Sequence, residues 1–390
     1  MKKYFEYDRL IEEKDFCNFS KEKELLYKHI ERGDCVKIFA PRNFGKTSLI
    51  KNILAKKWEK ENPEHRVILY ADFYSIENLE NISLELTKSF NLSFSNKKSF
   101  FDKGMEWTKM LKNIRPVWQP SSNGEGIGEF SIRTEQNHDI VDFEILFENI
   151  NRLQKNKQME FLVILDEFQE IAKIKRAEAK LRNALQNLSN KIPVVILGSK
   201  QHLLSKIFDN PKAPFYSWGF TLELHPIDYE QYTTYLNQRF KEASKHIDLK
   251  NSQYIQDKLN RIPESINRFC DFLARDPLVK IINKTVIDDK IKEFIDRSRS
   301  IYEENLIQFK KNPKKVLLAL TKVGEITAIT GQNFLKEIPD VSKTGVSDIM
   351  KNFLDDSVVS RKINQDGSFS YKIVDPFMRE FLLRYKLFNN

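Results

Sequence analysis

Four short runs in the first half of the chain are apolar almost throughout: CVKIFA (35–40), RVILYADF (66–73), FLVILD (161–166) and PVVILG (193–198). A strand that is hydrophobic on both faces belongs in the middle of a parallel sheet covered by helices, so these runs predict an α/β domain. Helical spacing follows the first run in TSLIKNILAKKWEK and the second at about 76–90. Between Ser93 and Asn137 the regularity lapses. PVWQPSSNGEGIGEFSIR reads as a turn-rich excursion, with IGEFSIR as one arm of a small hairpin.

Past about Pro226 the apolar runs give way to helical periods at 229–243, 252–259, 263–273 and 286–298. From about Asn305, VLLALTKVG, VSKTGVSDIMKNFLDDSVVSRK and DGSFSYKIVD predict helix, helix and a two-stranded end. DG is a hairpin signal, and this order fits a winged helix-turn-helix. The expected divisions are 1–226, 227–304 and 305–390, without low-complexity tracts or internal repeats.

Composition adds limits. Of 390 residues, 41% are hydrophobic and 31% charged, the balance of a soluble globular protein with a sizeable core. No apolar run approaches the roughly 20 residues of a membrane span, so no membrane is expected. The start, MKKYFEYDRLIEEKDF, lacks the apolar core of a signal peptide. Cys17, Cys35 and Cys270 are scattered, which fits buried or idle thiols in a reducing cytoplasm. The six histidines show no metal-ligand spacing. A net charge of +9 permits an anionic partner but equally reflects a lysine-rich composition.

Chemistry concentrates after three of the apolar runs. APRNFGKTS places a tight loop and a helix start behind the first. Backbone N–H groups of Ala40, Pro41, Arg42, Asn43, Phe44, Gly45, Lys46, Thr47 and Ser48 (Pro41 excepted, having none) and the helix N-terminus suit phosphate oxygens. Lys46 would reach the β- and γ-phosphates, and the Thr47 hydroxyl would ligate Mg²⁺. A usual phosphate loop begins with glycine where Ala40 stands; a methyl group there is tolerated at negative φ and strained at positive φ. Asp166 and Glu167 end the third run, a strand expected to lie beside the phosphate-loop strand. Asp166 would bind Mg²⁺, and Glu167 would orient and deprotonate an attacking water. Ser199, after the fourth run, could hydrogen-bond the γ-phosphate or that water.

With these motifs assembled, the chain resembles the archaeal-type ATPases of the STAND group, a branch of the AAA+-like phosphate-loop NTPases. The resemblance rests on APRNFGKTSL, LVILDEFQ, ILGSKQHLL, APFYSWG and VDPFMREFLLRY, in that order. It implies a P-loop parallel sheet, a final strand after PFYSWG, an AAA+-like helical lid and a C-terminal winged helix. It also implies ATP with Mg²⁺ as cofactors, slow ATP hydrolysis and a switch role, with Lys46, Glu167 and Ser199 catalytic and Thr47 and Asp166 on the metal. FCNFSKEKELL resembles a segment near the base, with Asn18 or Ser20 where the family carries arginine. RIPESINRF has Ile262 where the family often has glycine, and Arg239 and Arg268 are the candidate sensor arginines.

Two regions bear on partners. The expected recognition helix, 344–356, contains Asp348, Asp355 and Asp356, which oppose phosphate contact, and residues 301–390 carry 14 Lys/Arg against 11 Asp/Glu. The stretch 172–206 holds eight Lys/Arg against Glu178 alone, either a solvated helix face or a site for DNA, another polyanion or a neighbouring subunit. ATP-licensed DNA binding and a nucleotide-structured scaffold are the rival functions, and an oligomer fits any of them.

Overall fold

The computed structural model describes residues 2–95, 109–119, 129–136, 138–156, 159–364 and 366–385. The chain divides into two compact units: Phe19–Ala40 with Lys46–Leu224, and Met1–Asn18 with Pro41–Gly45 and His225–Asn390.

The first of these carries β1 (Cys35–Phe39), β2 (Arg66–Asp72), β3 (Ile114–Gln119), β4 (Glu129–Thr134), β5 (Glu160–Asp166), β6 (Val194–Gly198) and β7 (Phe220–Glu223). Five of them form a parallel sheet in the order β2-β5-β6-β1-β7. The four apolar runs are β1, β2, β5 and β6, and β5 and β6 are buried almost end to end, as strands covered on both faces must be. The fifth strand, β7, follows PFYSWG and is mostly exposed.

Two expectations are corrected. The run 66–73, read as a central strand, is β2 at the edge of the sheet, with one face only half-buried. The strand carrying Asp166 does not lie beside the phosphate-loop strand, because β6 intervenes: Val194 pairs with Cys35 on one side and Val163 on the other. A strand that pairs on both edges and is buried on both faces is the one the hydrophobic effect drives to the centre. Its carboxyl end, Gly198–Ser199, therefore lies between the ends of β1 and β5.

Helix Leu79–Ser95 packs beside the antiparallel β3–β4 hairpin, with the Phe94 and Phe130 rings 5.6 Å apart. Residues 120–128, which the sequence reading made turn-rich, lie outside the described residues. The helix behind the phosphate loop winds with wide, π-type turns over Ser48–Ala55 before tightening to an α-helix over Lys56–Glu61, a change of pitch that hydrophobic spacing did not reveal.

In the other unit, helices Tyr229–Glu242, Leu249–Lys258 and Lys284–Arg297 start on Asp228, Asp248 and Asn283, whose side chains accept from backbone N–H groups of the first turn. Pro263 opens helix Pro263–Arg275, where its missing N–H costs nothing. Beyond helix Arg299–Ile307 come helices Lys311–Val323, Gln332–Leu335 and Lys343–Asp355. Two parallel two-residue strands, β8 (His246–Ile247) and β9 (Ile281–Ile282), join the helical region, where the sequence pattern gave helices alone. The antiparallel pair β10 (Val359–Ile363) and β11 (Phe369–Ile373) and helix Pro376–Tyr385 complete a winged helix. No helix among the described residues is long and apolar enough to cross a membrane.

Candidate functional site: a carboxylate cluster at the phosphate loop

Sheet topology and register gather the predicted residues. Phe39 pairs with Gly198 and Asp72 with Asp166, so β1, β6, β5 and β2 end along one edge. Ligands of open parallel sheets collect at such carboxyl ends.

Lys46 is buried, and its Nζ donates a 2.8 Å hydrogen bond to the Ala40 carbonyl oxygen. Next to it in sequence, Thr47 Oγ1 donates to Asp166 Oδ2 at 2.7 Å. Asp166 is 2% exposed and accepts two further hydrogen bonds: Tyr70 Oη donates to Oδ2 at 2.9 Å, and the Glu167 N–H donates to Oδ1 at 2.8 Å. Burial, reinforced by the Asp166 carboxylate, pushes the Tyr70 phenol well above its ordinary pKa, so Tyr70 is a fixed donor. Burial likewise raises the Asp72 carboxyl, and the neighbouring Asp166 and Glu167 charges add to the shift. Tyr70 was hidden inside an apolar run; a polar-tipped residue near the strand end was its only signal.

Glu167 sits in the left-handed region at φ 48°, ψ 39°. Such a conformation in a residue with a Cβ costs about 1–3 kcal/mol and persists where the surroundings over-determine it. Here they do. Phe168, Gln169, Glu170 and Ile171, on the short 3₁₀ helix Phe168–Lys173, are all buried. The Phe168 ring packs 5.8 Å from Phe208 and 5.3 Å from Phe215. The Glu167 carboxylate turns toward β6: Ser199 Oγ donates to its Oε2 at 2.8 Å, and Gln169 Nε2 donates to the same oxygen.

The loop Pro41–Gly45 takes left-handed backbone at Asn43 (φ 66°) and Gly45 (φ 85°). Asparagine tolerates this region and glycine enters it freely, so the chain's composition suits the turn. The Phe16 ring lies 3.3 Å from where a Gly45 Cβ would stand. The backbone at Ala40 stays out of the left-handed region, so its methyl group carries no such strain. Ile262 is likewise extended, at φ −91°, while Asn260 and Arg261 before it take positive φ; the missing glycine is not needed there.

Other predicted residues lie elsewhere. Asn18 is buried, its Oδ1 accepting from the Asp228 N–H at 3.4 Å, while its Nδ2 has no hydrogen-bond partner; Ser20 is exposed at the start of helix Ser20–Arg32. Arg239 is ion-paired with Asp15, and the Arg268 guanidinium lies over the Phe294 and Phe377 rings at 5.4 and 5.8 Å. In the basic stretch, Lys173 and Lys200 are paired with Glu170, an acid lying just before 172–206. Among the described residues no group of three or more His, Cys, Asp or Glu side chains could hold a metal ion. Thr47 and Asp166 nevertheless offer a hydroxyl and a carboxylate in direct contact, the oxygen donors that Mg²⁺ takes alongside phosphates and water.

No family model matches the chain, and no curated protein matches it. Solved structures do. The chain is similar to the Walker-type ATPase PABY2304 of Pyrococcus abyssi at 16% identity and a TM-score of 0.64, over 97% of this chain and 99% of that one. It is similar to the Aeropyrum pernix ORC2 protein in its ADPNP-ADP complexes at 14% identity and a TM-score of 0.53, over 98% and 99% of the two chains. The ADP form of that ORC2 protein aligns at 14% identity with a TM-score of 0.50, over 97% of this chain and 95% of that one. The chain therefore shares the fold of these proteins: an α/β core with a parallel sheet, a helical region and a C-terminal winged helix.

Proposed function

We propose that the chain binds ATP with Mg²⁺ and hydrolyses it slowly, as a nucleotide-controlled switch of the STAND type. One observation carries this reading: Asp166, joined to Thr47 at 2.7 Å, is followed directly by Glu167, joined to Ser199 at 2.8 Å. A metal-binding pair thus adjoins a carboxylate aimed along the strand ends, as hydrolysis of a phosphoanhydride requires.

The Lys46 amine, held on the Ala40 carbonyl, would exchange that neutral acceptor for phosphate oxygens. Thr47 and Asp166 would hold Mg²⁺, which when bound neutralises charge on the β- and γ-phosphates. Glu167 would accept the proton of a water whose oxygen bonds to the γ-phosphorus, while the bond to the β,γ-bridging oxygen breaks and ADP leaves. Ser199 orients that carboxylate through its hydroxyl. ATP and ADP differ at the γ-phosphate, so only contacts to it can bias a two-state protein.

The deciding measurement is ATP affinity of the Lys46→Ala protein, expected to fall about 10–100-fold with loss of a charge-assisted hydrogen bond. Unchanged affinity would sink the reading.

A second reading, ATP-licensed DNA binding, draws support from the winged helix, a form that can place a helix in a DNA groove. Lys351 on helix Lys343–Asp355 and Arg361 and Lys362 on β10 are its phosphate contacts. Duplex affinity falling steeply with salt, and lost when these three are neutralised, supports it; no duplex binding at low salt removes it. A nucleotide-structured scaffold is the third reading, excluded by any turnover that depends on Glu167.

A further inference from the structure

We infer that Gln169 is a positioning residue for hydrolysis, holding the Glu167 carboxylate and the Ser199 backbone in one geometry through a single amide. The inference rests on the ATPase reading above.

Gln169 is completely buried, on a 3₁₀ helix whose first four residues are all buried. Its Oε1 accepts from the Ser199 N–H at 3.2 Å. Its Nε2 donates to Glu167 Oε2 and, at 3.4 Å, lies against Glu170 Oε1. The amide has only one workable orientation, because a donor must face two carboxylates and an acceptor must face an N–H. Ser199 Oγ closes the loop by donating to the same Glu167 oxygen. Glu170 is itself anchored by Lys173 and, at 3.6 Å, by Lys200.

A second observation is independent of these bonds. A Cβ on Gly198 would stand 2.7 Å from Gln169 Oε1 and 2.5 Å from Leu204 Cδ1. Gly198 is not in the left-handed region, so what it contributes is the space its missing side chain leaves. The Gln169 amide fills that space. A glutamine that crosses from one strand end to the next, into a slot opened by glycine, ties the proposed base just after β5 to the polar residue just after β6.

The test uses the full chain with Gln169→Met, which keeps an unbranched side chain of similar volume and removes all three amide contacts. Gln169→Asn, which keeps an amide but falls one methylene short, serves should the first variant fold poorly. Turnover and ATP affinity are measured in the otherwise native protein and in a Glu167→Gln background. The expected result is a kcat lower by about 10²-fold with KM and ATP affinity within about threefold. In the Glu167→Gln background the same change should cost little further, because the group being positioned is gone. A merely structural role would instead weaken ATP binding and lower residual turnover equally in both backgrounds, and that outcome overturns the inference. So does an unchanged kcat in a protein whose turnover depends on Lys46. If the native protein shows no Lys46-dependent hydrolysis at all, the ATPase reading fails and the positioning role falls with it.

Discussion

Thr47 Oγ1 donates to Asp166 Oδ2 at 2.7 Å although their parent strands, β1 and β5, are not neighbours. The contact reaches past the end of β6, and so Ser199 at that end meets Glu167. The division of labour between the two adjacent acids follows. Asp166 accepts from Thr47, Tyr70 and its own neighbour's backbone, whereas Glu167 faces the β6 side.

Glu167→Gln should therefore keep ATP affinity while lowering the hydrolysis rate by about 10²–10⁴-fold, the usual contribution of a general base. Equilibrium nucleotide binding and single-turnover phosphate release, measured on the same preparation, separate the two effects. Equal losses in both would reassign Glu167 to binding.

Ala40→Gly tests the departure from the common loop pattern. Because Ala40 avoids positive φ, glycine brings no strain relief and adds freedom to the unfolded chain. Stability should fall by about 0.4–1 kcal/mol in denaturant titration, with nucleotide affinity unchanged. A gain in stability would show that the methyl group is strained after all.

Gly219→Ala tests the structural role of PFYSWG. Gly219 has φ 67°, and a Cβ there would stand 2.8 Å from the Cys35 carbonyl oxygen on β1. Phe215 and Trp218 pack their rings 5.8 Å apart beside Phe208. The motif thus lets β7 approach β1 and seals it with aromatic burial. The substitution should destabilise the protein by about 1–3 kcal/mol, read as a lower denaturation midpoint at unchanged slope.

Glu264→Gln gives a pH-dependent prediction. Burial, opposed by the Arg268 charge, holds the Glu264 carboxyl above its ordinary 4.5. A raised folded pKa contributes stability that is fully present below about 4.5 and is lost as pH rises through the folded value. Glutamine keeps the neutral form at all pH values. The variant should melt higher than the native protein at pH 7, by on the order of 1 °C, with the difference shrinking toward pH 4. A difference that grows on acidification contradicts the sign.

The sequence was legible where burial is two-sided. β1, β5 and β6 announce themselves because covered strands cannot carry much polarity, and Lys46, Thr47, Asp166, Glu167 and Ser199 follow those runs directly; β2 is as apolar in sequence but has one face only half-buried. β7 escaped the hydrophobic pattern because its residues are mostly exposed, and only the PFYSWG motif pointed to it. Lateral strand order was not legible, since an apolar run does not say which neighbour a strand takes, nor, as β2 at the sheet edge shows, that it is central. Gln169 was unreadable for a related reason: its significance depends on the space at Gly198, a property of two distant positions together.

The central placement of β6 has a consequence for biosynthesis. A chain emerging from the ribosome presents β1, the phosphate loop and later β5 before β6 is made, and until then β1 and β5 have no strand between them to pair through. Lys46, Thr47 and Asp166 can be brought into register only when residues up to about Ser199 have left the exit tunnel. A truncated product ending before that point carries every phosphate-loop residue and still lacks the means to align them.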